Sequence, residues 1–284
     1  MKTEQLIWFI DSRYFYQNIS LDKIVHLANI HQKKITIIID ARGKSPTPWY
    51  SHLLHDESLL FNDENILLAE KQVKLLNFFK MNAIKADIMI CPSIDYTKII
   101  NKEIAKNTNS LVVIEDTQLS KRHPIFQMLT QINAPILLLT NKIWKHPINI
   151  LGAIDPLHEN ARPETIDESI VELMAHWGAA LKAKQCIAHC CYISPVLSQY
   201  KKKIMAEHQD ALKDFSKKYR LDKDQQVLLE GQPEERLPTY IKNNQVDVLF
   251  IGLVARNKLS QFWIGSTTNA LLTTLPCDML LVKH

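Results

Sequence analysis

At 284 residues the chain has room for one large domain or two of ordinary size, and its 46% apolar and 23% charged residues are those of a protein with a buried core. Six Gly stand against twelve Pro, where average usage near 7% would give roughly twenty Gly; this argues against a turn-dense sandwich or barrel, a collagen-like repeat or a flexible linker. The formal charge of +4 divides into +3 up to Trp144 and +1 beyond it, with no basic tail or asymmetric patch, so no nucleic-acid partner is implied.

The first element is an apolar run, Leu6 to Ile10, closed by Asp11. It is far too short for a signal-peptide core or a membrane span, and nothing later is long enough, so the expectation is no membrane insertion and a cytoplasmic location. The five Cys (91, 186, 190, 191 and 277) are odd in number, lack metal-ligand spacing and sit mostly in apolar runs. Buried, reduced thiols suit a cytosol. Along the first half a long helix is expected to carry Ile66, Val73, Leu76 and Phe79 on one face, and Ala134 to Leu139 reads as a closing strand.

A repeat then appears with a period near 144 residues. Ile7-Trp8-Phe9-Ile10-Asp11 recurs as Leu151-Gly152-Ala153-Ile154-Asp155, and Ala134 to Leu139 is answered by Cys277 to Val282. The boundary falls at Asn141 to Pro147, giving domains 1–143 and 147–284. Second-half strands are expected at Asn149 to Ile154, Gln185 to Cys191, Gln226 to Leu229, Val248 to Ile251 and Met279 to Val282. Their residues are apolar in succession rather than alternately, as in strands covered on both faces. Between them, Ile166, Ile170, Leu173, Met174, Trp177 and Leu181 recur at helical spacing, as do Leu197, Tyr200, Ile204, Leu212, Phe215 and Tyr219. Lys201 to Lys203 read as a solvated helix face, and Pro238 as an irregularity in the first turn of a helix opened by Pro233. Strands alternating with helices make an α/β protein of two tandem, doubly wound, parallel five-stranded sheets, Rossmann-like in topology.

In such a sheet a ligand binds beyond the carboxyl ends of the strands where strand order reverses. Asp155 and Gly252 close two second-half strands at that place. After Gly252 come two residues, then Ala255, then nine more, then Gly265-Ser266-Thr267 at the start of an apolar helix. Gly265 permits close backbone approach, Ser266 is suited to cap the helix, and Arg256 and Lys258 bring positive charge, so the loop reads as a phosphate cradle. The other reading keeps Gly252 and Gly265 for packing only.

Here the second half, from Ile150 through Val282, resembles a universal stress protein domain, whose nucleotide binders show Gly, two residues, Gly, nine residues, then Gly-Ser/Thr. The whole chain is similar to the tandem E-type members, in which two such domains are fused. The resemblance implies a stress-response regulatory protein binding ATP, with Mg left open, and at most slow hydrolysis. Adenine would lie near Cys190, ribose by Asp155, and phosphates along Gly252, Arg256, Asn257, Gly265, Ser266 and Thr267. Ala255 departs from the family Gly, and its methyl group is expected to weaken binding. The resemblance also implies that the last strands, Ile136 to Thr140 and Met279 to Lys283, lie side by side across a pseudo-twofold axis. Whether two chains form a homodimer stays open.

The first half departs further. Ile251 to Cys277 spans 26 positions, but Ile114 to Ala134 only 20. Glu115-Asp116 stand where Gly252 would be, and carboxylates there repel phosphate. No nucleotide is expected in that half, and Asp11 is read as a turn cap. His189, before Cys190-Cys191, reads as a core residue. The rival function is a scaffold or carrier of an apolar ligand around Trp49, Leu53, Leu54, Leu59, Leu60 and Phe61. No nucleophile elbow, Walker loop or zinc-hydrolase helix occurs.

Overall fold

The computed structural model describes residues 5–11, 18–30, 34–40, 57–91, 95–107, 109–116, 124–157, 165–253 and 265–283. In the first half β1 (Gln5–Asp11), β2 (Lys34–Asp40), β3 (Lys85–Cys91), β4 (Ser110–Glu115) and β5 (Ile136–Leu139) alternate with α1 (Asn18–Ile30), α2 (Glu57–Met81) and α3 (Tyr96–Ile104). The second half carries β6 (Asn149–Ile154), β7 (Lys184–Cys191), β8 (Gln226–Glu230), β9 (Val248–Gly252) and β10 (Asp278–Val282). Its helices are α4 (Thr165–Leu181), α5 (Lys201–Lys218), α6 (Pro233–Asn243) and α7 (Ser266–Thr274).

The strands form one sheet in the order β3-β2-β1-β4-β5-β10-β9-β6-β7-β8. Each half is a parallel five-stranded layer, and the two meet edge to edge where β10 runs antiparallel to β5. The expected pairing of last strands is therefore present, and it covers an edge that would otherwise be open to another chain. The ladder also fixes the symmetry. Phe9 faces Ile114, which faces Leu138, while Ala153 faces Ile251, which faces Leu281. Counterparts thus differ by 143 positions at this edge, and Leu137 lies opposite its own counterpart, Leu280. The pseudo-twofold axis passes through that pair.

Apolar residues in succession go to both faces of the sheet because side chains alternate along a strand. Leu6, Trp8 and Ile10 join α1 and α2 residues such as Ile24, Leu27, Leu75 and Phe79 in one core layer, which continues under Ile170, Met174, Trp177 and Leu212. Ile7 and Phe9 face α3 through Tyr96, Ile100 and Ile104, and that layer continues under Leu237, Ile241, Leu271 and Leu272. Gly152 stands where its twin carries Trp8, and Met174 occupies the space: its Sδ lies 2.3 Å from where a Cβ would be.

Three expectations about helix faces need correction. Val73 and Leu76 are exposed, and α2 buries Leu75 beside the expected Phe79. Leu197 and Tyr200 lie in a 3-10 turn (Pro195–Tyr200) that leads into α5, and both are exposed. Pro238 stands in the second turn of α6, where it lacks the amide that would bond the carbonyl of Glu234. Trp49, Leu53 and Leu54 lie outside the described residues, as do the side chains of Leu59, Leu60 and Phe61.

The connection between halves is tied down. Asp247 accepts the backbone N–H groups of Lys145 (3.0 Å) and Asn149 (2.8 Å). Asp278, on β10, is 1% exposed and meets Lys23 of α1 in an ion pair of 2.6 Å. Its carboxylate also accepts from the Thr140 amide, the Thr140 hydroxyl and Trp144 Nε1, each at 2.7 Å. Lys283 reaches back to the first half and donates to the carbonyls of Leu129, Thr130 and Ile132. Among the described residues no helix is long and apolar enough to cross a membrane.

Candidate functional site

Strand order reverses between β6 and β9, so the carboxyl ends of those strands open a crevice. The structure brings most of the candidate residues to it. Asp155 follows β6, His189 and Cys190 end β7, Gly252 ends β9, and Gly265, Ser266 and Thr267 open α7; all line one pocket, with Pro233 and Leu237 of α6 and Thr268. Ala255, Arg256 and Asn257 lie outside the described residues, as does Lys258. The cavity volume is about 90 Å³.

Each side chain is held by its own element. Asp155 is buried, and its amide donates to Asp167 Oδ2 of α4 at 2.9 Å. The hydroxyl of Thr268 donates to the carbonyl of Gly252 at 3.2 Å, joining the end of β9 to the start of α7. Gly265, not Ser266, is the N-cap of α7, and it supplies no side-chain hydrogen bond; Ser266 is the first helical residue. The helix therefore begins with backbone donors facing the pocket and a dipole that favours an anion.

Gly265 has an ordinary backbone (φ −51°). A Cβ built on it would meet no heavy atom within 4 Å among the described residues. Neither a strained turn nor close packing against the described residues calls for Gly there. Gly231 is different: its φ of +126° lies in the region that favours Gly.

His189 is buried in the wall. Its Nε2 lies 2.7 Å from His208 Nδ1, and its Nδ1 lies 3.3 Å from the carbonyl of Ile154. One consistent assignment has His208 donating to His189 and His189 donating to Ile154, with His189 neutral. Burial, the largest influence, holds its pKa below the usual value against the nearby Asp155 charge. Burial, reinforced by Glu234, pushes the Cys190 thiol up to about 12, so it is no nucleophile at neutral pH.

Two contributors escaped sequence reasoning. His208 lies 19 residues from His189 on a helix whose apolar stripe gave no hint of it. Glu234, one residue after Pro233 in the first turn of α6, had no role that spacing could suggest, yet its carboxylate accepts the Thr267 hydroxyl at 3.1 Å. In the first half, the ladder puts Glu115 where the second has Gly252, followed by the buried Asp116. None of the five Cys forms a disulfide.

The sequence model of the Universal stress protein family matches residues 163–283, which include α4 to β10. The chain is 25% identical to the Universal stress protein E homolog of Haemophilus influenzae, over 65% of this chain and 65% of that one. It is 20% identical to Universal stress protein E of Escherichia coli, over 56% of this chain and 54% of that one. These matches thus span under two thirds of each relative's length. Among solved structures, a functionally unknown protein of Pseudomonas aeruginosa superposes with a TM-score of 0.71 at 18% identity, covering 99% of this chain and 92% of that one. A universal stress protein of Archaeoglobus fulgidus gives 0.59 at 12% identity, covering 100% and 99%; both likenesses show the fold alone. With its sheet order and switch-point crevice, the second half carries the universal stress protein family's sequence pattern over residues 163–283, and the chain as a whole is similar to the E-type members.

Proposed function

We propose that the chain is a stress-response regulatory protein that holds an adenine nucleotide, ATP or a close relative, in the pocket of its second half. The observation that carries this reading is Gly265: it opens α7 in an ordinary conformation at the mouth of a switch-point crevice, with no heavy atom of the described residues within 4 Å of where its Cβ would stand. A residue without a side chain is useful there if a ligand approaches the backbone. Asp155 is suited to accept ribose hydroxyls, Cys190 and Leu237 to flank the base, and the first amides of α7 to meet phosphate. The first half takes no nucleotide, because Glu115 occupies the place of Gly252 and opposes phosphate. Occupancy acts through conformation or partners rather than fast turnover, since Cys190, the thiol in the described lining, is held protonated.

Isothermal titration of the full chain with ATP, AMP and adenosine tests this. One molecule is expected per chain, and Gly265→Val abolishes binding while leaving the thermal midpoint of the unliganded protein unchanged. Full affinity in Gly265→Val, or no binding of any adenine compound by the parent protein, would refute it.

A further inference from the structure

Glu234 sits in the first turn of α6, yet its carboxylate Oε1 lies 3.1 Å from the hydroxyl of Thr267, the second residue of α7. A carboxylate carried by one helix is thereby held at the positive end of another, the place where a nucleotide's phosphate would go. No ion pair joins it to Arg236, two residues on, among the described residues. That side chain lies over Gly231, its Nε 2.5 Å from where a Cβ would stand. Asp155 adds a second carboxylate, in the described lining of the pocket.

We propose that Glu234 is a resident anion that competes with ligand phosphate for the start of α7, biasing the pocket toward adenine ligands of low charge, a nucleoside ahead of a free triphosphate. The proposal rests on the adenine-ligand reading of the same pocket. When phosphate enters, Thr267 must exchange its carboxylate partner for a phosphate oxygen, and the two anions repel across a short, partly desolvated distance. A neutral sugar leaves the Thr267–Glu234 contact intact.

The test is isothermal titration of the full chain and of Glu234→Gln with adenosine and with ATP, in low salt without divalent cations. In the variant, ATP affinity is expected to rise about tenfold and adenosine affinity to stay within about twofold. The ATP gain shrinks in 0.5 M salt, as a charge effect must. The unliganded variant melts slightly lower than the parent, since α7 loses its anion. Stability and ATP affinity therefore move in opposite directions, which a purely structural role for Glu234 would not produce. An unchanged ratio of ATP to adenosine affinity, or a loss of both, overturns the role of Glu234 while leaving the adenine reading in place. Failure of both proteins to bind either compound overturns the adenine reading itself, and this proposal with it.

Discussion

Replacing Lys23 with Met removes the only cation bonded to Asp278 among the contacts described above, at the seam between the halves. Asp278 is 1% exposed and Lys23 3%. Burial works against both charges: it lowers the pKa of Lys23 and raises that of Asp278, and each offsets part of the other's cost. With Lys23 gone, three neutral donors from Thr140 and Trp144 remain on a carboxylate that water cannot reach, and the Thr140 carbonyl loses the ammonium 2.9 Å away. Breaking a buried pair from one side costs about 3–5 kcal/mol, a large share of the roughly 5–15 kcal/mol that holds a domain folded. Urea unfolding at pH 7, followed by tryptophan fluorescence and by circular dichroism, measures it. The double variant Lys23→Met with Asp278→Asn, which leaves no buried charge, is expected to regain at least half of that loss. The single variant also recovers stability as the pH falls, because the raised pKa lets the folded state take up a proton on Asp278 before the unfolded chain does. A loss below about 1 kcal/mol, or a double variant as unstable as the sum of its parts, would show that the pair is not coupled as the geometry requires.

The remaining predictions concern the pocket. The pKa of His189 is lowered in the folded protein, so just below pH 6.5 the unfolded chain binds a proton that the folded chain refuses. Stability should fall as the pH drops through that range, and His189→Gln should flatten the slope in denaturant titrations at pH 7.5 and 5.5. Cys190, pushed up to about 12 from 9.0, carries at pH 8 a thiolate fraction roughly a thousandfold below that of an unshifted thiol. Iodoacetamide labelling followed by mass spectrometry should therefore mark it far more slowly than denatured controls, and labelling at the control rate would contradict its burial. Ala255→Gly should tighten ATP binding roughly fivefold if the methyl group costs about 1 kcal/mol; an unchanged titration would show that Ala is tolerated at this position.

Much of the architecture could be read locally. Strands covered on both faces declare themselves as unbroken apolar runs, and the second-half strands were placed within a residue or two at each end. Spacing alone joined Asp155, Gly252 and Gly265 into one site, because strand ends and helix starts in a parallel sheet have few places to go. Helix faces were less legible where the sheet does not extend beneath the whole helix. Val73 and Leu76 have apolar side chains at plausible spacing, yet α2 turns Leu75 and Phe79 to the sheet. Ser266 has the chemistry of a cap, but helix entry is set by backbone geometry, and the chain enters at Gly265.

The sequence by itself determined the two-fold repetition of an α/β unit, the strand-end carboxylates, and the substitution of Glu115 for Gly252 that separates the halves. Only the tertiary structure decided which distant groups meet. Lys23 and Asp278 are 255 positions apart, and Glu234 and Thr267 lie on different helices brought together at the switch point. Local propensity and periodicity act over a few residues, whereas these pairings arise when an antiparallel strand pair closes the sheet and packing sets helix against helix. The charge resident at the start of α7 is therefore a property of the fold, invisible in the spacing of its glycines.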